Sequence, residues 1–214
     1  MQSPARLVRR PRLAVGARVM GIDPSLTSSA WACRKDGELR RGIIDPRDAR
    51  GPRRLLYARD QLAAILDEFQ PTHIVYEDYA MGKAKGGQGR IFDIGELGGV
   101  FKTLIYERGI TMLLVSPTSL KKFVMGKGVV TIPGVKKPTT KQKKEPVVKA
   151  LAQYFGMHVP QYDEADATGL MLFGEIRTGL AKPPQDGLLS LRLNAVASCT
   201  EVPGKLQSIS NKRT

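Results

Sequence analysis

The sequence contains few of the residues that build metal–sulfur sites, disulfide frameworks or membrane spans. Its 214 residues include two cysteines, two histidines and one tryptophan. Cys33 and Cys199 have no paired spacing with the histidines, which argues against a zinc site or disulfide scaffold and favours a reducing compartment. No apolar run approaches the roughly 18 residues that a membrane span needs, so no membrane partner is expected.

Acidic residues are also scarce. The chain has 34 Lys and Arg against 20 Asp and Glu, a formal net charge of +14. Such an excess favours a polyanionic partner, with nucleic acid ahead of an anionic membrane surface. The hydrophobic fraction of 42% is enough for the core of one domain of ordinary size.

Three regions follow from the patterning. Residues 1–16 are rich in arginine and predict a disordered basic arm, with an organellar presequence as the alternative. Over residues 17–179, short apolar runs and segments with helical periodicity follow each other, which predicts one folded domain. Residues 180–214 are poorly periodic, which predicts a flexible C-terminal tail. The cytoplasm is the expected location, and an organellar matrix goes with the presequence alternative.

The folded region predicts strands first and helices later. A strand is expected over 17–35, followed by a hairpin turn at Asp36-Gly37. The remaining elements, in chain order, are a helix after Pro52, a strand in "THIVYED", a helix over 90–108, a strand in "ITMLLVSP", a short helix in "TSLKKFVMG", an aperiodic stretch over 126–145, a helix from Pro146 and a last helix in "DEADATGLMLFGEIR". This order predicts an α/β protein with a mixed sheet and helices on its faces.

Two acids end short apolar strands. Asp23 follows the first strand, and Glu77 ends "HIVYE". A buried unpaired carboxylate is costly, and two neighbouring carboxylates repel each other unless a cation holds them. Asp23 can also be explained as a turn starter, since it precedes a proline. Asp78 points to the opposite face of an extended strand from Glu77, so only one of the two can face the Asp23 position.

The last helix carries a further acidic pair. Asp163 and Asp166 are three residues apart and share a helical face that Leu170 extends, which indicates a buried face. Asp163 alone could be a helix cap, whereas Glu164 and Glu175 are interpreted as solvated residues. Clustered hard oxygen ligands suit Mg²⁺ or Mn²⁺. Pairs of such ions roughly 4 Å apart support phosphodiester hydrolysis.

Four motifs carry a family resemblance: "GIDPSLTSSAWA" (21–32), "IVYEDYAMGK" (74–83), "SLKKFVMGKG" (119–128) and "YDEADATGLML" (162–172). Together they resemble RuvC-type Holliday junction resolvases, endonucleases of the RNase H-like superfamily, over about residues 17–178. The lysine-rich divergence from that pattern suits a bacteriophage variant.

The resemblance implies an RNase H-like fold: a mixed five-stranded sheet, with an antiparallel meander and then parallel strands, flanked by helices. It implies a homodimer that makes paired nicks in branched DNA, most characteristically the four-way junction. It also implies two Mg²⁺ ions per active site, replaceable by Mn²⁺, which four acids hold. On this sequence those acids are Asp23, Glu77, Asp163 and Asp166.

The resemblance also implies DNA-binding residues. Lys121 in the third motif matches a basic residue near the scissile phosphate. Lys144 is the preferred match for a second lysine that precedes the next helix, with Lys141 and Lys143 as alternatives. Tyr79 stands close to the position where the family commonly has a phenylalanine that opens the junction; here that stretch is "EDYAM".

A glycine- and lysine-rich loop after Glu77 is a further candidate DNA contact. It carries Lys83, Lys85 and Arg90, and its glycines allow a close approach to phosphate. The glycine-rich helix over 90–108 is the candidate dimer interface, with plain core packing as the alternative.

Three other functions stay open on sequence grounds. One is a broader endonuclease for flaps, forks and other branched DNA. Another is a non-catalytic DNA-binding protein of RNase H-like fold, which a cleft of four acids disfavours. The third and most remote is an actin/hexokinase-type phosphotransferase, for which no second phosphate loop or adenosine motif is present.

Overall fold

The computed structural model describes residues 16–78, 88–129 and 139–205. The predicted basic arm at 1–16 therefore lies, apart from Gly16, outside the described residues. In chain order the elements are β1 (Val19–Asp23), β2 (Ser29–Lys35), β3 (Glu38–Ile44), α1 (Gly51–Phe69), β4 (His73–Glu77), α2 (Gln88–Glu107), β5 (Thr111–Val115), α3 (Pro117–Met125), α4 (Thr140–Phe155), α5 (Tyr162–Thr178), α6 (Leu189–Ala197) and β6 (Thr200–Val202). None of the helices in these ranges has the length and apolar character to cross a membrane.

The strands form one mixed sheet in the order β3-β2-β1-β4-β5-β6. β1, β2 and β3 form an antiparallel meander, β1, β4 and β5 run parallel, and β6 pairs antiparallel with β5. The predicted mixed sheet, meander first and parallel strands next, is therefore confirmed. The sheet has six strands rather than five, because the C-terminal segment adds β6 at the edge of β5.

The first strand prediction needs a correction, because the chain reverses direction within 17–35. β1 ends at Asp23, and Pro24 has no amide hydrogen with which to extend a ladder. The Ser25 amide donates to Ser29 Oγ at 3.0 Å, and Ser29 Oγ donates to the Ser25 carbonyl at 2.8 Å. These bonds close the turn between β1 and β2. The predicted hairpin turn is confirmed at Asp36 and Gly37, whose φ angles are 54° and 81°.

Alternation along the central strands divides the core into two layers. Val19 of β1 and Val75 of β4 pack toward α3, α4 and α5. The residues that alternate with them along the same two strands face α1 and α2. Asp23 is four residues after Val19, and Glu77 is two after Val75. Both carboxylates therefore lie on the α5 side of the sheet, at the carboxyl ends of two neighbouring parallel strands.

α4 begins earlier than predicted. The sequence leaves 126–145 aperiodic and puts the helix start at Pro146, but a capping box at Thr139 and Gln142 starts the helix at Thr140. Pro146 lies inside the helix, where it costs one backbone hydrogen bond. Lys144 consequently belongs to the second turn of α4 and does not precede the helix as expected.

Two acids of α5 interpreted as solvated are buried. Glu164 accepts a hydrogen bond from Arg41 Nε at 2.5 Å, and Glu175 accepts one from Arg34 Nε at 2.8 Å. Both carboxylate side chains are under 10% exposed. β2 and β3 extend alongside α5 and supply the two arginines, a tertiary pairing that the sequence pattern does not show.

The C-terminal segment differs from the expected flexible tail. Residues 189–197 form α6, and residues 200–202 form β6 against the edge of β5. Arg192 of α6 is fully buried, which no mean-hydropathy pattern would reveal. Residues 206–214 lie outside the described part of the chain.

Candidate active site

Gly21 allows α5 to lie directly against β1. A Cβ atom at this position would overlap the Ala167 carbonyl oxygen and the Met171 amide nitrogen of α5. Gly21 is two residues before Asp23 on the same face of β1, and Asp166 directly precedes Ala167. The close approach therefore brings the Asp166 carboxylate beside that of Asp23. Sequence reasoning missed Gly21; the signal was a glycine inside an otherwise apolar strand.

Asp23 and Glu77 form a pair of neighbouring carboxyl groups at the ends of β1 and β4. Their strands pair in parallel, with Ile22 opposite Tyr76, so the two acids come next in register. Burial is the main cause that raises the pKa of Asp23 to about 6, and Asp166 adds to it. Burial, and then the Asp23 charge, hold the pKa of Glu77 well above its usual range. Two such groups are not readily ionised together unless a cation compensates their charges.

The two acids of α5 differ in depth. The Asp166 side chain is 14% exposed, similar to the 17% of Asp23, whereas that of Asp163 is 47% exposed. Burial raises the pKa of Asp166, and the Lys144 and Lys121 charges oppose that rise. Asp23, Glu77 and Asp166 therefore form the buried part of the site, and Asp163 lies at its mouth.

Lys144 provides the cation among these acids. Its Nζ lies 3.1 Å from Asp163 Oδ1, 3.6 Å from Asp166 Oδ2 and 3.8 Å from Asp23 Oδ2. Burial works against its charge, but the three carboxylates outweigh that cost and raise the pKa of Lys144. In the described part of the chain, no three Asp, Glu, His or Cys side chains form a ready-made metal site. The carboxylates instead surround the Lys144 ammonium.

The structure separates Lys144 from the two alternatives weighed with it. Lys141 Nζ lies over the Tyr162 ring, 5.7 Å from its centroid, and Lys143 is exposed. Lys121, on α3, is a second cation near the site: its charge lowers the pKa of both Glu77 and Asp166, although it forms no ion pair with an acid among the described residues. Two predicted lysines thus face the predicted acids.

Asp78 turns away from the site, as the strand alternation predicts. Its Oδ1 accepts a hydrogen bond from Lys102 Nζ of α2 at 2.7 Å. The adjacent acids Glu77 and Asp78 therefore belong to opposite faces of the sheet. This makes them a matched pair for experiments.

Four other predicted DNA contacts stay predictions. Tyr79, Lys83 and Lys85 lie outside the described residues. Arg90, expected in the glycine-rich loop, lies in the first turn of α2 instead. A helix that starts at Gln88 is hard to predict there, because glycine is a poor helix former.

The strand order, with an antiparallel meander followed by parallel strands and helices on both faces, defines an α/β fold of the RNase H-like class. A family model described as "Crossover junction endodeoxyribonuclease RuvC" matches residues 19–162, more than half of the chain. The chain belongs to this RuvC family of endodeoxyribonucleases, which confirms the resemblance.

Individual relatives agree with the family. The chain is 28% identical over 117 residues to a crossover junction endodeoxyribonuclease RuvC from Chloroflexus aggregans, covering 52% of this chain and 70% of the relative. It is 29% identical over 120 residues to the protein of the same name from Corynebacterium glutamicum, covering 53% of each. The chain thus spans about half the length of the second relative.

A solved structure supports the same fold. The Thermus thermophilus RuvC structure has a TM-score of 0.55 and 19% sequence identity, and the match covers 78% of this chain and 99% of that one. A second structure, of T. thermophilus RuvC in complex with Holliday junction substrate, has a TM-score of 0.56 and 18% identity. At these identities the likeness concerns the fold.

Proposed function

We propose that this chain is a Mg²⁺-dependent endonuclease that resolves four-way DNA junctions by paired nicks as a homodimer. The observation that carries the proposal is the convergence of three buried carboxylates from β1, β4 and α5 with Asp163 at the mouth. Membership of the family and the net charge of +14 support a DNA substrate. The bacterial relatives support action in the cytoplasm of a bacterial cell.

The donor set fits hard divalent cations. Asp23, Glu77, Asp163 and Asp166 offer only carboxylate oxygens, which suit Mg²⁺ and also Mn²⁺. Three of them are buried, so their mutual repulsion is poorly screened by water and a bound cation would offset it. Two ions bound here would supply an activated water and neutralise charge on the leaving oxygen. The four acids would hold and orient the ions, and the burial of Asp23, Glu77 and Asp166 limits solvent access.

The two lysines take complementary roles in the proposal. Lys121 faces Glu77 and Asp166, where a scissile phosphate must come, and it offsets the charge that develops on that phosphate. Lys144 holds Asp163, Asp166 and Asp23 together in the metal-free protein. Its ammonium is also close enough to contact a DNA phosphate at the same site.

The remaining DNA contacts and the dimer stay predictions. Tyr79, Lys83, Lys85 and Arg90 follow Glu77 in sequence, which supports a role beside the scissile strand. For the dimer, α2 exposes Phe92, at 69%, together with Gly95 and Gly99 on its outer side. An exposed aromatic beside small residues suits the close packing of a second copy.

Cleavage of labelled DNA tests the proposal. Four-way, three-way, flap and duplex substrates are incubated with Mg²⁺ and wild-type protein, Asp166→Asn or Glu107→Gln. Glu107 is exposed at the C-terminal end of α2, away from the acids, and serves as the matched control. We expect wild type and Glu107→Gln to nick the four-way junction in pairs, and Asp166→Asn to bind it without cutting.

Other outcomes identify the alternatives. Equal rates on flaps, three-way and four-way junctions would indicate a general branched-DNA endonuclease. Binding that Mg²⁺ never converts to cleavage would indicate a non-catalytic protein. Cleavage by Asp166→Asn at the wild-type rate would show that the site is elsewhere.

A further inference from the structure

α6 and Ser198, the residue that follows it, contact α3 near both of its ends. At the start of α3, Ser119 Oγ lies 3.4 Å from Ser198 Oγ, directly after α6. At the end of α3, Arg192 of α6 donates to the Phe123 carbonyl and, at 3.0 Å, to the Val124 carbonyl. α3 carries Lys121, so α6 and Ser198 together contact the helix on both sides of this lysine.

Arg192 is built into the interior. It is fully buried, and its Nη2 donates to Asp186 Oδ2 at 2.8 Å. Its guanidinium carbon lies 5.0 Å from the Tyr154 ring centroid and 4.9 Å from that of Phe155, both on α4. A buried guanidinium is costly unless charge and hydrogen bonds compensate it. Here an acid, two carbonyls and two rings compensate the two terminal nitrogens, whereas Nε is buried without a hydrogen-bond partner among the described residues.

α3 depends on such contacts for its orientation. It has nine residues, and helices this short are marginal without tertiary support. The last four carbonyls of a helix lack intrahelical partners. In α3 the Gly126 amide donates a hydrogen bond to the Lys122 carbonyl, and Arg192 donates to the carbonyls of Phe123 and Val124. These carbonyls are two and three residues after Lys121. Leu120 and Val124 of the same turns pack against Gly169 of α5, three residues after Asp166. The guanidinium therefore fixes the part of α3 that places Lys121 beside the acids.

We propose that Arg192 is a positioning residue for DNA cleavage, which acts by orienting α3 so that Lys121 faces Glu77 and Asp166. The inference rests on the proposed nuclease function. Arg192 lies beyond residues 19–162, the part of the chain that the family model matches. The α6 segment is therefore part of the working nuclease unit and not an appendage to it.

Replacement of Arg192 by Met and by Lys tests this role. Met keeps much of the length and removes the charge, and Lys keeps the charge but not the two-pronged donor. We expect Arg192→Met to lower kcat for junction cleavage by about tenfold or more, because small misplacements of a group at the reacting centre are costly. The Kd for junction DNA, measured without divalent ions, should change by less than about twofold. Arg192→Lys should restore part of kcat.

A double-mutant cycle shows whether the effect passes through Lys121. In a Lys121→Ala background, the Arg192 substitutions should lower kcat by less than about twofold, since the group they position is already gone. Leu62→Ala is the control for general destabilisation, because Leu62 is fully buried in the other core layer. Below its Tm, Leu62→Ala should keep kcat. An equal loss of kcat from Arg192→Lys with and without Lys121 would overturn the proposal.

Amide hydrogen exchange provides a readout that needs no cleavage. Exchange within 117–125 should rise about tenfold or more in Arg192→Met or Arg192→Lys and stay unchanged in Leu62→Ala. Unchanged exchange in α3 of folded Arg192→Lys would also overturn the proposal. If wild type cleaves no junction while α3 exchange rises as expected, the proposed function fails and the positioning of α3 by Arg192 stands.

Discussion

At the scale of single residues, the site places two carboxylates, Asp23 and Glu77, where their negative charges repel each other. Their carboxyl groups are neighbours, and burial raises the pKa of each. Burial of two such groups opposes folding when both are ionised. The Lys144 ammonium, 3.8 Å from Asp23 Oδ2, reduces that cost. A site of this kind is poised to exchange protons for other cations.

The raised pKa of Asp23 predicts a pH-dependent stability without divalent ions. The folded pKa of about 6 exceeds the ordinary value of 3.8. The stabilisation from this group is therefore complete below about pH 4 and is lost as the pH rises through about 6. We expect Tm in EDTA to fall by several degrees between about pH 4 and 7, in line with roughly 2–3 kcal/mol.

Substitution at Asp23 checks the assignment. Asp23→Asn should flatten this slope, whereas Asp78→Asn, which removes an acid paired with Lys102 on the other face, should leave it. Differential scanning calorimetry across the pH range measures both. Identical slopes in wild type and Asp23→Asn would assign the pH dependence to other groups.

Lys144 predicts a second effect on stability. In Lys144→Met the three carboxylates within 3.8 Å lose their cation, so Tm in EDTA at pH 7.5 should fall by several degrees. Added Mg²⁺ should then raise Tm more than it does in wild type, because the acids have greater need of positive charge. Lys143→Met, at the exposed neighbouring position, is the control and should behave as wild type. An unchanged Tm in Lys144→Met would contradict the proposed role.

At the scale of elements, the contact between α5 and β1 assembles the site. α5 also crosses β4, since a Cβ on Gly174 would overlap the Val75 and Val19 side chains. Glycines at both crossings bring the helix close to the sheet. The separation between the Asp166 and Asp23 carboxylates is set in this way, because each acid is rigidly placed on its own element.

Gly21→Ala tests this contact. The added methyl group must displace α5 backbone, which cannot yield as a flexible side chain can, so we expect a loss of about 1–3 kcal/mol in the free energy of unfolding. Cleavage should fall further than junction binding. Gly187→Ala is the control, because no atom lies within 4 Å of its Cβ position. Chemical denaturation and single-turnover cleavage measure the two effects, and wild-type values for Gly21→Ala would contradict the close-packing account.

Some of these elements could be predicted from the sequence and others could not. The ends of β1 and β4 were predictable, because short apolar runs that stop at an acid have few explanations. The start of α4 was not, since Pro146 resembles a first-turn proline and hides the capping box at Thr139. β6 has only three residues and depends on the edge of β5, so local pattern alone cannot reveal it. The burial of Arg192 depends on partners from two other helices in the same way.

At the scale of the whole molecule, the proposed dimer places two active sites on one junction. A two-fold symmetric substrate needs two symmetric sites, and α2 offers the exposed surface for pairing. A cruciform plasmid reports the coordination directly, because paired nicks produce linear DNA and independent nicks produce open circles.

Phe92→Glu tests the α2 interface. A charge in a packed interface is costly, so we expect the dimer Kd from analytical ultracentrifugation to rise by about 100-fold or more. The cruciform product should shift from linear to nicked DNA. Tyr57→Glu changes a 41%-exposed aromatic on α1 and should have neither effect. A dimer of wild-type strength in Phe92→Glu would exclude this face.

The central claim is that carboxylates on the α5 side of the sheet hold the metal ions that support DNA cleavage, and the adjacent acids of β4 test it most directly. Single-turnover cleavage of a four-way junction is measured at saturating Mg²⁺ for wild type, Glu77→Gln and Asp78→Asn. The account predicts a loss of about 100-fold or more for Glu77→Gln and a rate within about threefold of wild type for Asp78→Asn. Equal rates for the two variants would contradict it.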